Sequence, residues 1–284
     1  VIKLLAKPVI EKRRAELSEK TSALKQKLGR APHLAVVLVG NDPASEVYVG
    51  KKGEAAELVG FTHETIVFEK GVQAETVRAK IEELNQNSKV DGILVQRPLP
   101  PQFKEKEAIF WVTPKKDVDC LHPENIGLLV SGDPRFLACT PGGILNLLDY
   151  YGITIEKKIA CVIGRSAIVG KPLAALLLAK NASVIQIHRS TPHPESLCSQ
   201  ADLVFVAAGV KGLVKKEWIK KGAVVIDVGV HRGENNKLVG DVDVVSVGDL
   251  PSALSPVPGG VGPMTIQTLL ENTYQSAKNS FEQN

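Results

Sequence analysis

No two cysteines of this chain stand in CxxC spacing. The four present, Cys120, Cys139, Cys161 and Cys198, are far apart in the sequence. That excludes a structural zinc site, leaves no metal to expect, and reads as a chain of a reducing compartment, here the cytoplasm. No apolar run approaches the length needed to cross a membrane. No signal-peptide pattern opens the chain, which starts at Val1. Charge of one sign is not in excess either: 35 Lys and Arg stand against 31 Asp and Glu, a net charge of +4. The basic residues are scattered along helices rather than run together, so neither nucleic acid nor a membrane is an expected partner, whereas an anionic small ligand would suit. Internal repeats and low-complexity segments are missing. What remains is a globular chain, 23% charged, whose 284 residues suit two domains.

The densest local signal is Pro256-Val-Pro-Gly-Gly-Val-Gly-Pro-Met-Thr265, with three glycines and three prolines in ten residues. Proline fixes φ and glycine admits backbone shapes closed to other residues, so a stiff, non-repetitive loop is expected rather than a helix or central strand. Such a backbone can approach a flat ligand closely. An interdomain connector has the same composition.

Before it, strands and helices alternate. Residues 8–28 read as a helix and 33–39 as a short, β-branched, buried strand. Ser45 is the expected N-cap of a helix running to Leu58. Strand 62–68, helix 74–86 and strand 90–95 complete a unit with crossovers long enough for parallel pairing. A rigid loop follows at Gln96-Arg97-Pro98-Leu99-Pro100-Pro101, at the strand end where open parallel sheets bind ligands. Residues 104–111 read as a short helix, and Thr140 as the cap of a helix over 141–150. A second unit has strands at 158–163, 183–188, 203–207 and 223–228, with helices at 169–180 and 216–220. The last helix is expected over 264–281, returning to the first unit. The fold class is α/β, with two domains: a parallel α/β catalytic domain over 1–139 joined by 263–284, and a Rossmann-type dinucleotide-binding domain over 140–262.

Gly164-Arg165-Ser166 opens the turn between the first strand and helix of the second unit, and Gly170 closes it. A dinucleotide's pyrophosphate sits at such a turn, against free backbone N–H groups and the positive helix end. The spacing is GxSxxxG, not GxGxxG, and a tight structural turn is the alternative. The next strand ends in His188-Arg189-Ser190. The carboxylate that reads the ribose of NAD is missing there, while Arg189 and Ser190, with Arg165, suit a 2′-phosphate. NADP is therefore the expected cofactor, unless Arg189 is simply solvated.

Ser45, Tyr48 and Lys52 share the second helix, and Tyr48 and Lys52, four apart, share one face. A tyrosine there can stack on an aromatic ligand while the lysine reaches the reacting carbon. By spacing alone the same pattern is an amphipathic helix with a surface lysine. Gln96 and Asp119 fall on loops able to converge with this helix. Asp117 and Asp119 alternate and face opposite ways in extended chain, so one is expected to meet ligand and the other to cap structure.

Together, Ser45-x-x-Tyr48-x-x-x-Lys52, Asp91-Gly-Ile-Leu-Val-Gln96, Lys116-Asp-Val-Asp119, Thr140-Pro141, Gly164-Arg-Ser166, Gly240-Asp-Val242 and the Pro256–Thr265 block resemble the methylenetetrahydrofolate dehydrogenase/cyclohydrolase family over nearly the whole chain. The resemblance implies an NADP-dependent enzyme of one-carbon metabolism and purine biosynthesis, usually a homodimer, with a folate cleft between its two domains. It would oxidise 5,10-methylenetetrahydrofolate to the methenyl cation and hydrolyse that cation to 10-formyltetrahydrofolate. By the same resemblance Lys52 is the catalytic lysine, Gln96 tunes it, Tyr48 stacks on the folate and Asp119 holds the pterin. Ser45, Pro258, Gly259 and Gly260 are substrate contacts; Gly164, Arg165, Ser166, Arg189, Ser190, Gly229 and Val230 are cofactor contacts. Alternatives are the same fold with one activity, or a folate- or NADP-binding protein without turnover. Four places depart from the family pattern: Arg97 after Gln96, Cys120-Leu121 after Asp119, Val230-His231 after Gly229, and Leu5-Ala6-Lys7-Pro8 near the start. None removes a group implied in catalysis.

Overall fold

A computed structural model describes residues 1–233 and 237–282. The chain forms two compact units. One contains Glu11–Leu128, Pro134–Cys139 and Ile266–Asn284; it is called the lysine unit below, after Lys52. The other contains Val1–Ile10, Leu129–Asp133 and Thr140–Thr265, and is called the glycine-turn unit, after Gly164.

The lysine unit is built on a three-stranded parallel sheet, with β2 (His33–Val39) between β3 (Thr62–Phe68) and β4 (Gly92–Val95). Strand β2 is apolar at every position from Leu34 because both its faces are covered. Leu34, Val36 and Leu38 pack with Leu17 of α1 (Ala6–Leu28), Val49 of α2 (Pro43–Leu58) and Ile266, Leu269 and Leu270 of α10 (Val261–Glu282). Ala35, Val37 and Val39 face the opposite way, onto Val77, Ile81 and Leu84 of α3 (Ala74–Gln86). Those three α3 residues are spaced four and three apart, one stripe of a helix. Shorter helices α4 (Glu105–Ala108) and α5 (Pro123–Ser131) follow.

The glycine-turn unit carries a six-stranded parallel sheet in the order β1-β11-β8-β7-β5-β6. Its members are β1 (Ile2–Lys3), β5 (Ile159–Ile163), β6 (Ser183–Ile187), β7 (Leu203–Val206), β8 (Val224–Asp227) and β11 (Ala253–Leu254). Helices α6 (Cys139–Tyr150), α7 (Gly170–Ala179), α8 (Pro194–Cys198) and α9 (Val244–Val247), a 3-10 turn at Lys216–Trp218, and the antiparallel pair β9 (His231–Arg232) and β10 (Leu238–Val239) complete the elements. The order turns back beside β5, so ligands are expected outside the carboxyl end of that strand.

Four expectations need correction. Ser45 does not cap α2. Asp42 does, its carboxylate accepting from Ser45 N at 2.8 Å, with Pro43 at the first helical position, where its missing N–H is harmless. Thr140 lies inside α6, and its hydroxyl meets that of Thr265 at 3.0 Å instead. The Pro/Gly stretch is not loop throughout: α10 starts at Val261, because proline is tolerated in a first helical turn. A division between the units does fall after residue 139, but the first ten residues belong to the glycine-turn unit. Residues Val1–Ile10 group with the glycine-turn unit because β1 extends its sheet, Ile2 N donating to Ser252 O at 2.8 Å and Leu4 N to Leu254 O at 3.0 Å.

Candidate active site

In the lysine unit, Lys52 lies on the inner face of α2 and is only 5% exposed. Its ammonium donates to Gln96 Oε1 at 2.7 Å and sits 4.6 Å from the centre of the Tyr48 ring. Gln96 follows β4 directly, and its own amide donates to Arg97 O at 2.6 Å. The side-chain oxygen is thereby turned towards the lysine. Burial pulls the Lys52 pKa below the ordinary lysine range, and the charge of Asp119 opposes that without reversing it.

Asp119 is brought beside the strand ends by a close approach. A Cβ at Gly92 would sit 2.9 Å from Val118, so the missing side chain lets residues 116–118 run alongside β4, Ile93 N donating to Lys116 O at 2.8 Å. Helix α10 fixes the same segment. Asn272 donates to Val118 O and Leu137 O, each at 2.8 Å, and the Ser276 hydroxyl lies 2.6 Å from Asp91 O and 2.8 Å from Lys115 O, its one proton shared between the two carbonyls. Asp117 accepts from Leu121 N at 2.8 Å, His122 N at 2.7 Å and Asn125 Nδ2 at 2.8 Å. Burial raises its pKa and these donors hold it down. Of the two aspartates, Asp117 is thus the one committed to structure. Asp119 stands half-buried at a small recess whose lining also includes Asp117, Val95, Arg97, Leu99 and Leu121. The Cys139 thiol lies next to Asp119, and burial, with the Asp119 charge added, pushes it well above the ordinary thiol range. Asn272, Ser276 and Cys139 have no signal in the sequence, because their roles depend on partners brought in from distant chain.

In the glycine-turn unit, Gly164 has φ +120°, and a Cβ there would run into Ala207 O. A Cβ on Gly170 would run into Gly164 O. Both glycines of GxSxxxG are therefore dictated by backbone crossing backbone. The Ser166 hydroxyl accepts from Val169 N at 3.2 Å and Gly170 N at 3.3 Å, at the start of α7. Gly164, Arg165, Ser166, Arg189, Thr191 and Trp218 line an open recess, and none of its lining residues is acidic. Ser190 is not part of that lining. Its N–H is turned back to His188 Nδ1 at 3.2 Å, while Thr191, missed in the sequence, takes the place on the wall. Gly229 and Val230 do not line it either: Gly229 N donates to Asp227 Oδ1 at 3.0 Å, and Val230 is 58% exposed. Burial raises the Asp227 carboxyl pKa, against donation from Val242 N, Asp241 N and Gly229 N.

The remaining expected contacts fall in both units. Ser45 is buried in the first turn of α2. Pro258, Gly259 and Gly260 belong to the glycine-turn unit, where Gly259 has φ +99° and its carbonyl accepts from Ala6 N at 2.8 Å.

Known proteins match this arrangement along nearly the whole chain. The model of the tetrahydrofolate dehydrogenase/cyclohydrolase catalytic domain matches residues 4–119, and that of the family's NAD(P)-binding domain matches residues 138–281. A curated relative, the bifunctional protein FolD of Streptococcus pyogenes serotype M5 (strain Manfredo), is 50% identical over 274 residues, 96% of each chain. The crystal structure of the bifunctional FolD of Campylobacter jejuni superposes with a TM-score of 0.94 at 44% identity, covering 97% of this chain and 98% of that one. The Trypanosoma brucei FolD, solved with NADP cofactor and an inhibitor, gives a TM-score of 0.93 at 35% identity, covering 99% and 98%. With a lysine and glutamine paired in one unit and a glycine turn over an arginine-lined recess in the other, this chain belongs to the tetrahydrofolate dehydrogenase/cyclohydrolase family.

Proposed function

We propose that Lys52 and Gln96 form the proton-handling pair of a bifunctional, NADP-dependent methylenetetrahydrofolate dehydrogenase and methenyltetrahydrofolate cyclohydrolase. The observation that carries this is the buried Lys52 ammonium held at 2.7 Å by Gln96, where burial lowers its pKa from the ordinary lysine value. In the hydrolytic step a water oxygen bonds to the methenyl carbon. Neutral Lys52 takes one proton from that water, leaving a carbinolamine. The bond from that carbon to N5 then breaks as the hydroxyl loses its proton to become the formyl C=O on N10, and N5 takes up a proton, so that the one proton left over is the one Lys52 removed. A cationic substrate close by lowers the lysine pKa further, in the useful direction. Tyr48 offers a ring face for the folate, and Asp119 an acceptor for the N–H groups of the pterin. Ser45, Pro258, Gly259 and Gly260 complete the substrate contacts in this reading.

The recess of the glycine-turn unit fits NADP. Its turn has no room for side chains at Gly164 and Gly170, its wall carries Arg165 and Arg189, and no carboxylate on the wall would repel a 2′-phosphate. Bound there, NADP supplies a hydride acceptor. The protein's part in that step is to hold the donor carbon in near contact, which asks no side chain to carry a proton. Ser190, Gly229 and Val230 would serve only through contacts outside the recess wall.

Two wider features belong to the same reading. A homodimer is supported by β3, which pairs only with β2 among the described strands and carries Val67 at 62% exposure on the sheet edge. Cytoplasmic residence is supported by four free, buried thiols.

A paired assay tests the whole reading. Purified protein should reduce NADP with methylenetetrahydrofolate, and should consume methenyltetrahydrofolate without any nucleotide. Loss of either activity in a folded protein would leave a monofunctional enzyme, and loss of both a binding protein.

A further inference from the structure

Behind the wall of the nucleotide recess lies a buried carboxylate that no step above uses. Asp241 is fully buried. Its Oδ2 accepts from Ala208 N and Gly209 N, each at 2.8 Å. Ala207 and Ala208 are themselves part of the recess lining. Its Oδ1 lies 2.6 Å from His231 Nε2. The backbone makes this junction tight: a Cβ on Gly229 would run into the Asp241 carboxylate, and Asp241 N is held by Asp227 Oδ1 at 3.0 Å. The pairing of β9 with β10, His231 opposite Val239, brings the imidazole to Asp241.

A carboxylate oxygen removed from water needs a donor. Oδ2 has two, both from the segment that walls the recess. His231 Nε2–H serves Oδ1. Without it the carboxylate would turn to find another donor or water, and turning would release Ala208 and Gly209. We propose that His231 is a positioning residue for the cofactor site: through Asp241 it holds the 208–209 backbone in the shape that NADP meets. This rests on reading the recess as the NADP site. It also gives a physical use to one of the places where this chain departs from its family's pattern.

The test is the NADP dissociation constant by calorimetry, with NADP KM and kcat alongside and thermal unfolding as the check on folding. Glutamine carries an N–H donor at about the reach of Nε2, whereas alanine and leucine carry none. His231→Ala should bind NADP roughly tenfold more weakly, the scale of one charge-assisted hydrogen bond. KM for NADP should rise in step, with a smaller change in kcat. His231→Gln should stay within about twofold of the parent on the same scale. If the alanine variant does not unfold cooperatively, His231→Leu, closer in volume, takes its place with the same expectation. A folded alanine or leucine variant that binds NADP as the parent does overturns the inference, as does a glutamine variant as weak as alanine. A parent protein that takes up no NADP overturns the reading of the recess, and this inference with it.

Discussion

Asp117 and Asp119 stand two residues apart and do different work. Asp117 holds three donors in the protein, two of them backbone N–H groups before α5. Asp117→Ala should therefore lower stability by about 2–4 kcal/mol, the scale of several buried donors left without an acceptor. Urea denaturation measures this; a variant as stable as the parent would show that the three bonds carry no weight. Asp119 acts on Lys52 by charge. Hydrolysis needs the neutral lysine, so its rate should rise with pH along a limb whose midpoint lies below the ordinary lysine value. Asp119 raises that midpoint and burial lowers it, so Asp119→Asn at saturating folate should move the limb to still lower pH. A shift to higher pH would contradict the assignment. At the cofactor side, Arg189→Ala should weaken NADP by about tenfold or more and NAD by less than about twofold, since only NADP carries the 2′-phosphate. Equal losses would mean that Arg189 does not read that group. At this scale the sequence made Lys52, Gln96 and Arg189 nameable by type and spacing. Asn272 was not, because its acceptors on Val118 and Leu137 lie 154 and 135 residues away.

Elements were legible where one strong local signal decided them. Strand β2 showed as a continuous apolar run because it is covered on both faces, and α3 showed by its stripe of Val77, Ile81 and Leu84. Helix ends were harder. Three N-cap residue types, Asn41, Asp42 and Ser45, precede or open α2, and only the backbone path selects Asp42. Asp42→Ala should cost about 1 kcal/mol of stability by denaturation, with Ser45→Ala nearer neutral; the reverse order would restore Ser45 as the cap. Helix α5 was hidden because the acceptor for the N–H groups before it, Asp117, lies four residues upstream of Leu121, outside any local capping pattern. Strands β1 and β11, two residues each, exist only by pairing with one another and with β8, which no local pattern can announce.

At the scale of the whole chain, the order of strands and helices made two α/β units readable, and the place of the first ten residues was not. Residues 1–10 follow β1 into the six-stranded sheet, while Ile266 to Leu270 pack against Leu34, Val36 and Leu38 in the other unit. The first of these depends on which distant surfaces meet, and composition carries no trace of it; the return of the last helix is an expectation of the sequence, drawn from the Pro/Gly stretch before it. If the free edge of β3 joins a second copy, light scattering should give twice the 30.5 kDa of one chain. Val67→Lys, placing a charge on that edge, should then shift the population to monomer. The central claim is that one chain carries two separable reactions, with Lys52 needed as a proton carrier in only one of them. Its most direct test is Lys52→Met, assayed for NADP reduction with methylenetetrahydrofolate, for nucleotide-free loss of methenyltetrahydrofolate, and for NADP binding. The account predicts that methenyl hydrolysis is abolished, some hydride transfer survives, and the NADP dissociation constant is unchanged. A folded Lys52→Met enzyme that hydrolyses methenyltetrahydrofolate at the parent rate would contradict it.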